Sequence, residues 1–392
     1  MLPYLIIFTL STALSALACN FRNKNHAASI LLLAISMLPL CILAGLRDIT
    51  IGTDISIYAE RDFFDALSTP YLQFLDGPAY GLLYDSCVWL AVNITHSHFA
   101  YFFILQALVV VPFTITFWRI DKRYTWVAML IYSFIFFGYS LNLMKQLIAA
   151  AFVVASYCFV RKRKLIPFLI FVLIGMGFHI TAALGFLLYP YLLPLREKTI
   201  KNLRIKRIFQ FAVIFIAALI SVTFKAWLPM LASIKDTYQQ QFGLMQFGAH
   251  SVAEFFAKPS YVLLTIALLL LTFFAIILVM RNYKAVKSKG FTSTFAQDDE
   301  LISLSLILLL GFVMMLTVLV SPQLYRIGFY YLCLATVLAQ LLMRRLSSAH
   351  VKYIALGGII AVNVVAFFVI FIVGHSCEIY PFTSSILPIV LP

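Results

Sequence analysis

Charged residues are scarce in this chain of 392 residues, where Asp, Glu, Lys and Arg together make up 11%. Roughly a quarter of the residues in soluble domains are charged, so this scarcity excludes a soluble globular protein. Hydrophobic residues make up 63%, and apolar runs near the ~20 residues needed to cross a bilayer recur along the whole length. Short alternating strands are missing. We therefore predict an all-α polytopic membrane protein with a single integral domain over residues 1–392.

Motifs for metal and nucleotide chemistry are missing as well. The chain has no His-Glu-x-x-His zinc motif, no phosphate-binding P-loop and no glycine-rich dinucleotide turn. It also lacks an Asp-x-Asp pair of the kind that carries a metal–nucleotide-sugar complex. His96 and His98 are two residues apart, a spacing that points the two rings away from each other on a helix. We therefore predict neither a metal site nor a cofactor.

Acidic residues are few, 15 against 29 Lys and Arg, and the net charge of +14 could suggest a nucleic-acid partner. The distribution of the charges gives a different explanation. Of the 29 basic residues, 22 fall in six short segments between apolar runs, at 22–24, 119–123, 161–164, 196–207, 281–289 and 344–352. Positive charge retained in cytoplasmic loops orients membrane proteins. The excess is therefore a topology signal, and we predict no nucleic-acid partner.

About twelve transmembrane helices with both termini outside fit this charge pattern. The predicted spans are 2–18, 29–46, 98–118, 124–141, 144–160, 165–179, 180–194, 208–228, 260–280, 301–320, 326–343 and 351–373. Counting 79–95 as a span would place every later basic loop outside, so we predict an outer interfacial or re-entrant helix there. Two short helices are predicted to break near His179. A larger outer loop is predicted near 229–259, and a mobile inner loop over 281–300.

Charges gather where the second predicted span ends, in the stretch GLRDITIGTDISIY. Arg47 could be an interfacial anchor, or its planar fork of donors could bind phosphate oxygens. Gly52 permits a tight turn, and Thr53 and Asp54 follow it. Asp54 could close a turn through its own backbone or project into the space above the helix ends. Tyr58 belongs to an aromatic strip that suits either a membrane interface or a sugar face.

Amides accompany a lysine at the predicted outer end of the fifth span. Asn142 and Gln146 are expected to share a helical face at i, i+4, with Lys145 close by. A lysine alone could extend its amine to the membrane surface, but this does not explain the two amides beside it.

A histidine and an arginine open further predicted spans on the same side. His179 could be a packing residue or a catalyst. Arg326 follows Tyr325 at the start of the eleventh span. Three cations, one carboxylate and one histidine are thus predicted at one membrane level, each at a helix end. An ion pathway would instead distribute charges through the depth of the bilayer.

Four short motifs, in this order, resemble those of the EpsG family, membrane polymerases of bacterial exopolysaccharide. They are Arg47…Gly52-Thr53-Asp54…Tyr58, Met144-Lys145-Gln146-Leu147-Ile148-Ala149, Phe178-His179 and Tyr325-Arg326-Ile327-Gly328-Phe329-Tyr330-Tyr331. The resemblance covers roughly residues 40–345. Lys145 departs from the pattern, in which arginine is expected. Lysine keeps the charge and loses the bidentate fork, so a strict phosphate-clamp role is in doubt at this position.

The resemblance implies a Wzy-type, metal-independent and GT-C-like glycosyltransferase in the bacterial inner membrane, with its active site facing the periplasm. It would transfer the growing glycan from undecaprenyl pyrophosphate to the next lipid-linked repeat unit, alongside a flippase and a chain-length regulator. Arg47, Lys145 and Arg326 would bind the pyrophosphate, and Asp54 or His179 would be the general base. The supporting residues would be Gly52, Thr53, Tyr58, Asn142, Gln146 and Tyr325.

Three other functions stay open at this point. An O-antigen ligase needs the same phosphate-binding arginines, and only its product would differ. A lipid-linked oligosaccharide flippase should place cations deep inside the bundle and show two related halves, which the sequence does not. A structural scaffold would not need polar residues at five separate helix ends.

Overall fold

The computed structural model describes residues 1–76, 81–194, 200–227, 266, 269–273, 276–277, 293–319, 324–384 and 386. Every extended regular element in these residues is a helix, and they contain no β-strand. The predicted outer loop at 229–259 lies outside the described residues, and the predicted span 260–280 is described only in part.

The described part of the chain forms sixteen α-helices joined by short turns of 3₁₀ or π geometry. The α-helices are α1 Leu2–Phe21, α2 His26–Leu46, α3 Glu60–Ser68, α4 Tyr71–Leu75, α5 Leu82–Thr95, α6 His98–Ile120, α7 Thr125–Ile131, α8 Phe137–Asn142, α9 Met144–Arg161, α10 Leu165–Phe178, α11 Leu188–Leu192, α12 Ile200–Trp227, α13 Ser293–Met315, α14 Phe329–Leu332, α15 Ala335–Arg345 and α16 Ala349–Phe367. The turns are Ile55–Ala59, Tyr132–Phe136, Ile180–Leu187, Leu316–Leu319, Leu324–Gly328, Phe368–Val373 and Ser376–Glu378.

Small polar residues join the first two helices into an antiparallel pair. Asn25 caps α2 by accepting a hydrogen bond from the backbone N–H of Ala28 at 3.0 Å. Ser29 Oγ donates to the carbonyl of Ala18 at 2.7 Å, across the two helices. Small side chains let apolar helices approach closely, and their hydroxyls supply hydrogen bonds that lipid cannot.

Burial separates central helices from peripheral ones. In the most apolar stretches of Thr125–Asn142, Met144–Arg161 and Tyr325–Arg345, between 83% and 94% of the residues are buried, against 33% in Leu2–Phe21 and 28% in Ala349–Val373. Apolar surface left exposed on the peripheral helices suits contact with lipid. Seven helices of the described residues are long and apolar enough to cross a membrane, and three shorter apolar helices accompany them. The all-α polytopic prediction is confirmed, while the count of twelve spans stays a prediction.

Several predicted boundaries hold in the structure. A helix covers Leu82–Thr95, where an interfacial helix was predicted. The break near His179 is confirmed, because α10 ends at Phe178 and His179 is extended at φ −158° and ψ 120°.

Two predictions are wrong. Asn142 does not share a helix with Gln146, because Leu143, at φ −86° and ψ 46°, separates α8 from α9. The predicted inner loop 281–300 is helical from Ser293 onward, as the first turns of α13.

Ion pairs explain why that polar stretch is helical and ordered. Asp299 accepts from Lys206 Nζ at 2.8 Å and from an Arg207 amine at 2.5 Å. Two further pairs, Arg345–Asp298 at 2.8 Å and Arg161–Glu300 at 2.6 Å, extend the set. The basic ends of α9, α12 and α15 therefore meet three acidic residues of α13 at one end of the bundle.

Candidate active site

Arg47 is held at the end of α2 by contacts with three other residues. One guanidinium nitrogen donates to the carbonyl of Leu141 and the other lies 3.1 Å from the sulfur of Met144. The guanidinium carbon lies 4.2 Å from the centre of the Phe102 ring, an arrangement that favours a cation. Arg47 is 4% exposed, and burial lowers its pKa to about 10, so it stays positively charged at neutral pH. An interfacial anchor that extends its charge to water would be exposed, so the interpretation of Arg47 as such an anchor does not fit.

A tight turn then directs the chain back over the helix ends. Gly52 has φ +105°, and a Cβ there would lie 3.3 Å from the carbonyl oxygen of Leu141, so a side chain would be strained and crowded. After the turn, Asn142 Oδ1 accepts hydrogen bonds from the Asp54 backbone N–H at 2.7 Å and from Thr53 Oγ1 at 3.1 Å. These bonds fix the backbone of Asp54.

The side chain of Asp54 pairs with Arg326, 272 residues further along the chain. Both carboxylate oxygens take part, at 2.7 Å and 3.0 Å from the two terminal guanidinium nitrogens. Such a bidentate geometry is the strong form of the Arg–carboxylate pair. Asp54 therefore does not close a turn through its own backbone.

Both arginines still have a buried donor to offer. Among the described residues, the Nε atoms of Arg47 and Arg326 have no hydrogen-bond partner. Buried donors are nearly always satisfied in folded proteins. An anionic ligand bound in this site would supply the acceptor oxygens that these two guanidinium donors lack.

Lys145 lies in a pocket of aromatic and acidic side chains. Its amine is 3.7 Å from the centre of the Tyr58 ring and 5.1 Å from that of Tyr84. The carboxylates whose charge acts on it are, in decreasing order, Asp62, Asp85 and Asp54. Lysine is only 8% exposed, so its charge depends on these partners.

His179 faces a group of neutral hydroxyls. Its Nδ1 accepts from the backbone N–H of Thr181 at 3.4 Å and lies 2.6 Å from the Thr181 hydroxyl. That hydroxyl is 2.8 Å from the hydroxyl of Tyr330, which Gln146 also contacts. The charges of Lys145 and Arg326 both act on the ring, so His179 borders the same site.

We call the following six side chains the buried charge cluster: Arg47, Asp54, Asp62, Asp85, Lys145 and Arg326. Five of them are no more than 8% exposed, and the side chain of Arg326 is 24% exposed. The cluster lies at the start of α9, whereas Arg161, at the end of α9, pairs with Glu300. Sixteen residues of α-helix are ~24 Å long, so the cluster and the basic loops lie at opposite ends of the bundle.

The structure thus brings together most of the residues predicted from the sequence. Thr53, Asp54, Tyr58, Asn142, Lys145 and Arg326 form one contact network, and Gly52 turns the chain within it. Arg47 borders this network through Leu141 and Met144, the chain neighbours of Asn142 and Lys145. Gln146 and His179 meet at Tyr330, on its border. Tyr325 is buried against Phe329 beside Arg326.

Sequence reasoning missed two carboxylates of the cluster, Asp62 and Asp85, and the tyrosines around them. The amphipathic pattern of α3 could have indicated Asp62. It lies on the same helical face as Phe63 and Ala66, which are buried with it, whereas Asp65 is exposed. A carboxylate on the apolar face of an amphipathic helix needs a partner or a function.

The C-terminal segment was missed as well. Residues beyond α16 pack against the loop that carries Arg47, where the Asp48 N–H donates to the Thr383 carbonyl at 2.9 Å. Cys377 lies beside Asn142, near Asp54 and Arg326. The segment therefore packs directly against the site. In the described part of the chain, no three His, Cys, Asp or Glu side chains are grouped so that they could hold a metal ion.

Comparison with known families identifies the family to which the chain belongs. The model of the EpsG family matches residues 30–384, nearly the whole chain. The chain belongs to the EpsG family. The match extends past residue 345 to include the C-terminal segment that packs on the site, and the resemblance seen in the sequence is confirmed. EpsG membership makes the chain a membrane protein of the polysaccharide-polymerase type. No curated protein and no solved structure matches it.

Proposed function

We propose that this EpsG-family protein polymerises lipid-linked oligosaccharide repeat units at the outer face of the bacterial plasma membrane. The growing glycan would move from undecaprenyl pyrophosphate to the next lipid-linked unit. The observation that supports this is the convergence of Arg47, Lys145 and Arg326, from three distant segments, at the bundle end opposite the basic loops. Because positive loops stay in the cytoplasm, that end is proposed to face the periplasm.

The leaving group of this reaction is a diphosphate, whose negative charge grows as the glycosidic bond breaks. Cations already held in place stabilise developing charge without reorganising. The unpartnered Nε donors of Arg47 and Arg326 suit phosphate oxygens. We propose that these two arginines and Lys145 serve in place of a metal ion.

Asp54 and His179 were the two candidates for the general base. The bidentate pair with Arg326 uses both oxygens of Asp54, so we propose that Asp54 mainly orients that guanidinium. His179, through Thr181, Tyr330 and Gln146, would contribute to holding the glycan. A flippase would deliver the repeat unit to this face, and a separate regulator would set the chain length.

Reconstitution tests the proposal. The purified protein in liposomes, given a purified undecaprenyl-pyrophosphate-linked repeat unit, should make a ladder of glycan lengths on the same lipid without added metal or nucleotide. Arg47→Ala and Arg326→Ala should abolish the ladder. Lys162→Ala, which removes an exposed cation at the opposite end, should not.

Other products would indicate other functions. Glycan attached to lipid A core would identify a ligase, and movement of the lipid-linked unit across the bilayer without elongation would identify a flippase. A full ladder from both arginine variants would contradict the assigned roles.

A further inference from the structure

Asp62 is a buried carboxylate to which the proposed function above assigns no chemical role. It is 5% exposed, and its Oδ2 has no hydrogen-bond partner among the described residues. Arg61 lies 3.9 Å from Oδ1 of Asp62, but its side chain is half exposed, so this cation offers little compensation, and Lys145 acts on Asp62 more strongly. An unsatisfied buried carboxylate is destabilising, so its presence calls for a reason.

The position of Asp62 links it to the rest of the buried charge cluster. Among the carboxylates that act on Lys145, Asp62 has the largest effect. Tyr101 is influenced both by Asp62 and by Arg47, and Tyr58 both by Asp54 and by Asp62. Asp62 therefore lies close to Lys145, Tyr58 and Tyr101, within the same cluster as the Asp54–Arg326 pair.

We propose, on the basis of the polymerase function above, that Asp62 is the general base that accepts the proton of the attacking sugar hydroxyl. In this step the hydroxyl oxygen forms a bond to the anomeric carbon of the donor glycan, and its proton moves to Oδ2 of Asp62. The bond between the anomeric carbon and the diphosphate oxygen breaks, and its electron pair leaves with the diphosphate. The proton then passes from Asp62 to water, which restores the carboxylate.

Two properties favour Asp62 over Asp54. Among the described residues its Oδ2 accepts no hydrogen bond, whereas both oxygens of Asp54 accept from Arg326. Burial raises the pKa of Asp62, although Lys145 and Arg61 lower it, and this moves it towards the working pH, where a base works best. The titratable and charged groups whose charge acts on Asp62 include Lys145 and Asp85 from other segments, and Arg61 and Asp65 from the exposed face of its own helix. Asp62 in turn acts on three buried tyrosines, Tyr58, Tyr84 and Tyr101.

The test is the pH dependence of polymerisation in proteoliposomes. The wild-type rate should rise with pH through a midpoint above the ordinary pKa of an aspartate, because only ionised Asp62 accepts a proton and burial raises its pKa. Asp62→Asn should lower the rate by roughly 100-fold or more and remove this rise. Asp65→Asn, on the exposed face of the same helix, is the matched control and should stay within about two-fold of wild type.

Folding and catalysis can be separated. Since ionising a buried carboxylate disfavours folding, Asp62→Asn should melt no lower than wild type at pH 8. Asp62→Glu keeps a carboxylate and should retain a pH-dependent rate with a shifted midpoint. The inference is overturned if Asp62→Asn keeps the wild-type profile, or if Asp62→Glu lowers the rate without moving the midpoint. Absence of polymer from the wild type would refute the proposed function itself, and this inference with it.

Discussion

The pair formed by Asp54 and Arg326 offers the sharpest test of the described site. It joins two segments 272 residues apart through bonds of 2.7 Å and 3.0 Å. Two charge centres ~4 Å apart at an effective dielectric constant of ~20 attract by ~4 kcal/mol. The side chains are 11% and 24% exposed, so solvent screening reduces the expected coupling to about 2–3 kcal/mol.

A double-mutant cycle measures this coupling. Asp54→Ala and Arg326→Ala should each lower the free energy of unfolding by roughly 3 kcal/mol, because each leaves an unpaired buried charge. The double variant should lose about 3–4 kcal/mol, well below the sum. Unfolding in mixed detergent–SDS micelles can be followed by the fluorescence of the four tryptophans.

A control on the exposed surface fixes the scale of the measurement. Asp65 is 57% exposed and lies 3.9 Å from Arg61. Replacing Asp65 by alanine should lower the free energy of unfolding of the protein by less than about 0.5 kcal/mol. Strict additivity of the two single changes, Asp54→Ala and Arg326→Ala, would refute the pairing. The pairing would also be refuted if either single variant were as stable as the wild type.

Three further outcomes are expected. Lys145→Arg should keep at least about a tenth of the polymerisation rate in liposomes, because the cation over the Tyr58 ring is retained, whereas Lys145→Met should lose roughly 100-fold. Gly52→Ala should destabilise the protein by ~1–2 kcal/mol in a thermal melt because of its positive φ, while Gly357→Ala, with no atom near the added Cβ, should be neutral. Asp299→Asn should lower stability by roughly 3 kcal/mol, because buried Lys206 loses its carboxylate partner and the partly buried Arg207 keeps only neutral ones. The rate per folded molecule should not change, because Asp299 lies at the opposite end of the bundle from the proposed active site.

The helical framework could be predicted because lipid permits few alternatives. Apolar runs near 20 residues must be helices, and the basic loops fix an even number of crossings between Lys164 and Arg196. That argument located the break at His179 correctly. The convergence of Arg47 and Arg326 followed from the rarity of polar residues at the ends of apolar helices.

Pairings within the site could not be predicted, because they depend on tertiary packing. Nothing in the sequence assigns Asp54 to Arg326, since Lys145 was an equally good partner. The helix break at Leu143 carries no Gly or Pro signal, so Asn142 was placed on the wrong helix. Asp62, in contrast, was visible on the apolar face of α3.

Charge balance in the buried charge cluster connects the proposed base with the departing diphosphate. The cluster holds three cations and three carboxylates, so it is neutral when all are ionised. Transfer of the sugar proton to Asp62 leaves one net positive charge as the diphosphate gains negative charge. At ~7 Å and a dielectric constant of ~20 this attraction is worth ~2 kcal/mol, about thirty-fold in rate. Protonating Asp54 would yield the same net charge but would weaken the ion pair that orients Arg326. A base outside that pair, such as Asp62, gives the cluster its positive charge and leaves Arg326 oriented towards the diphosphate.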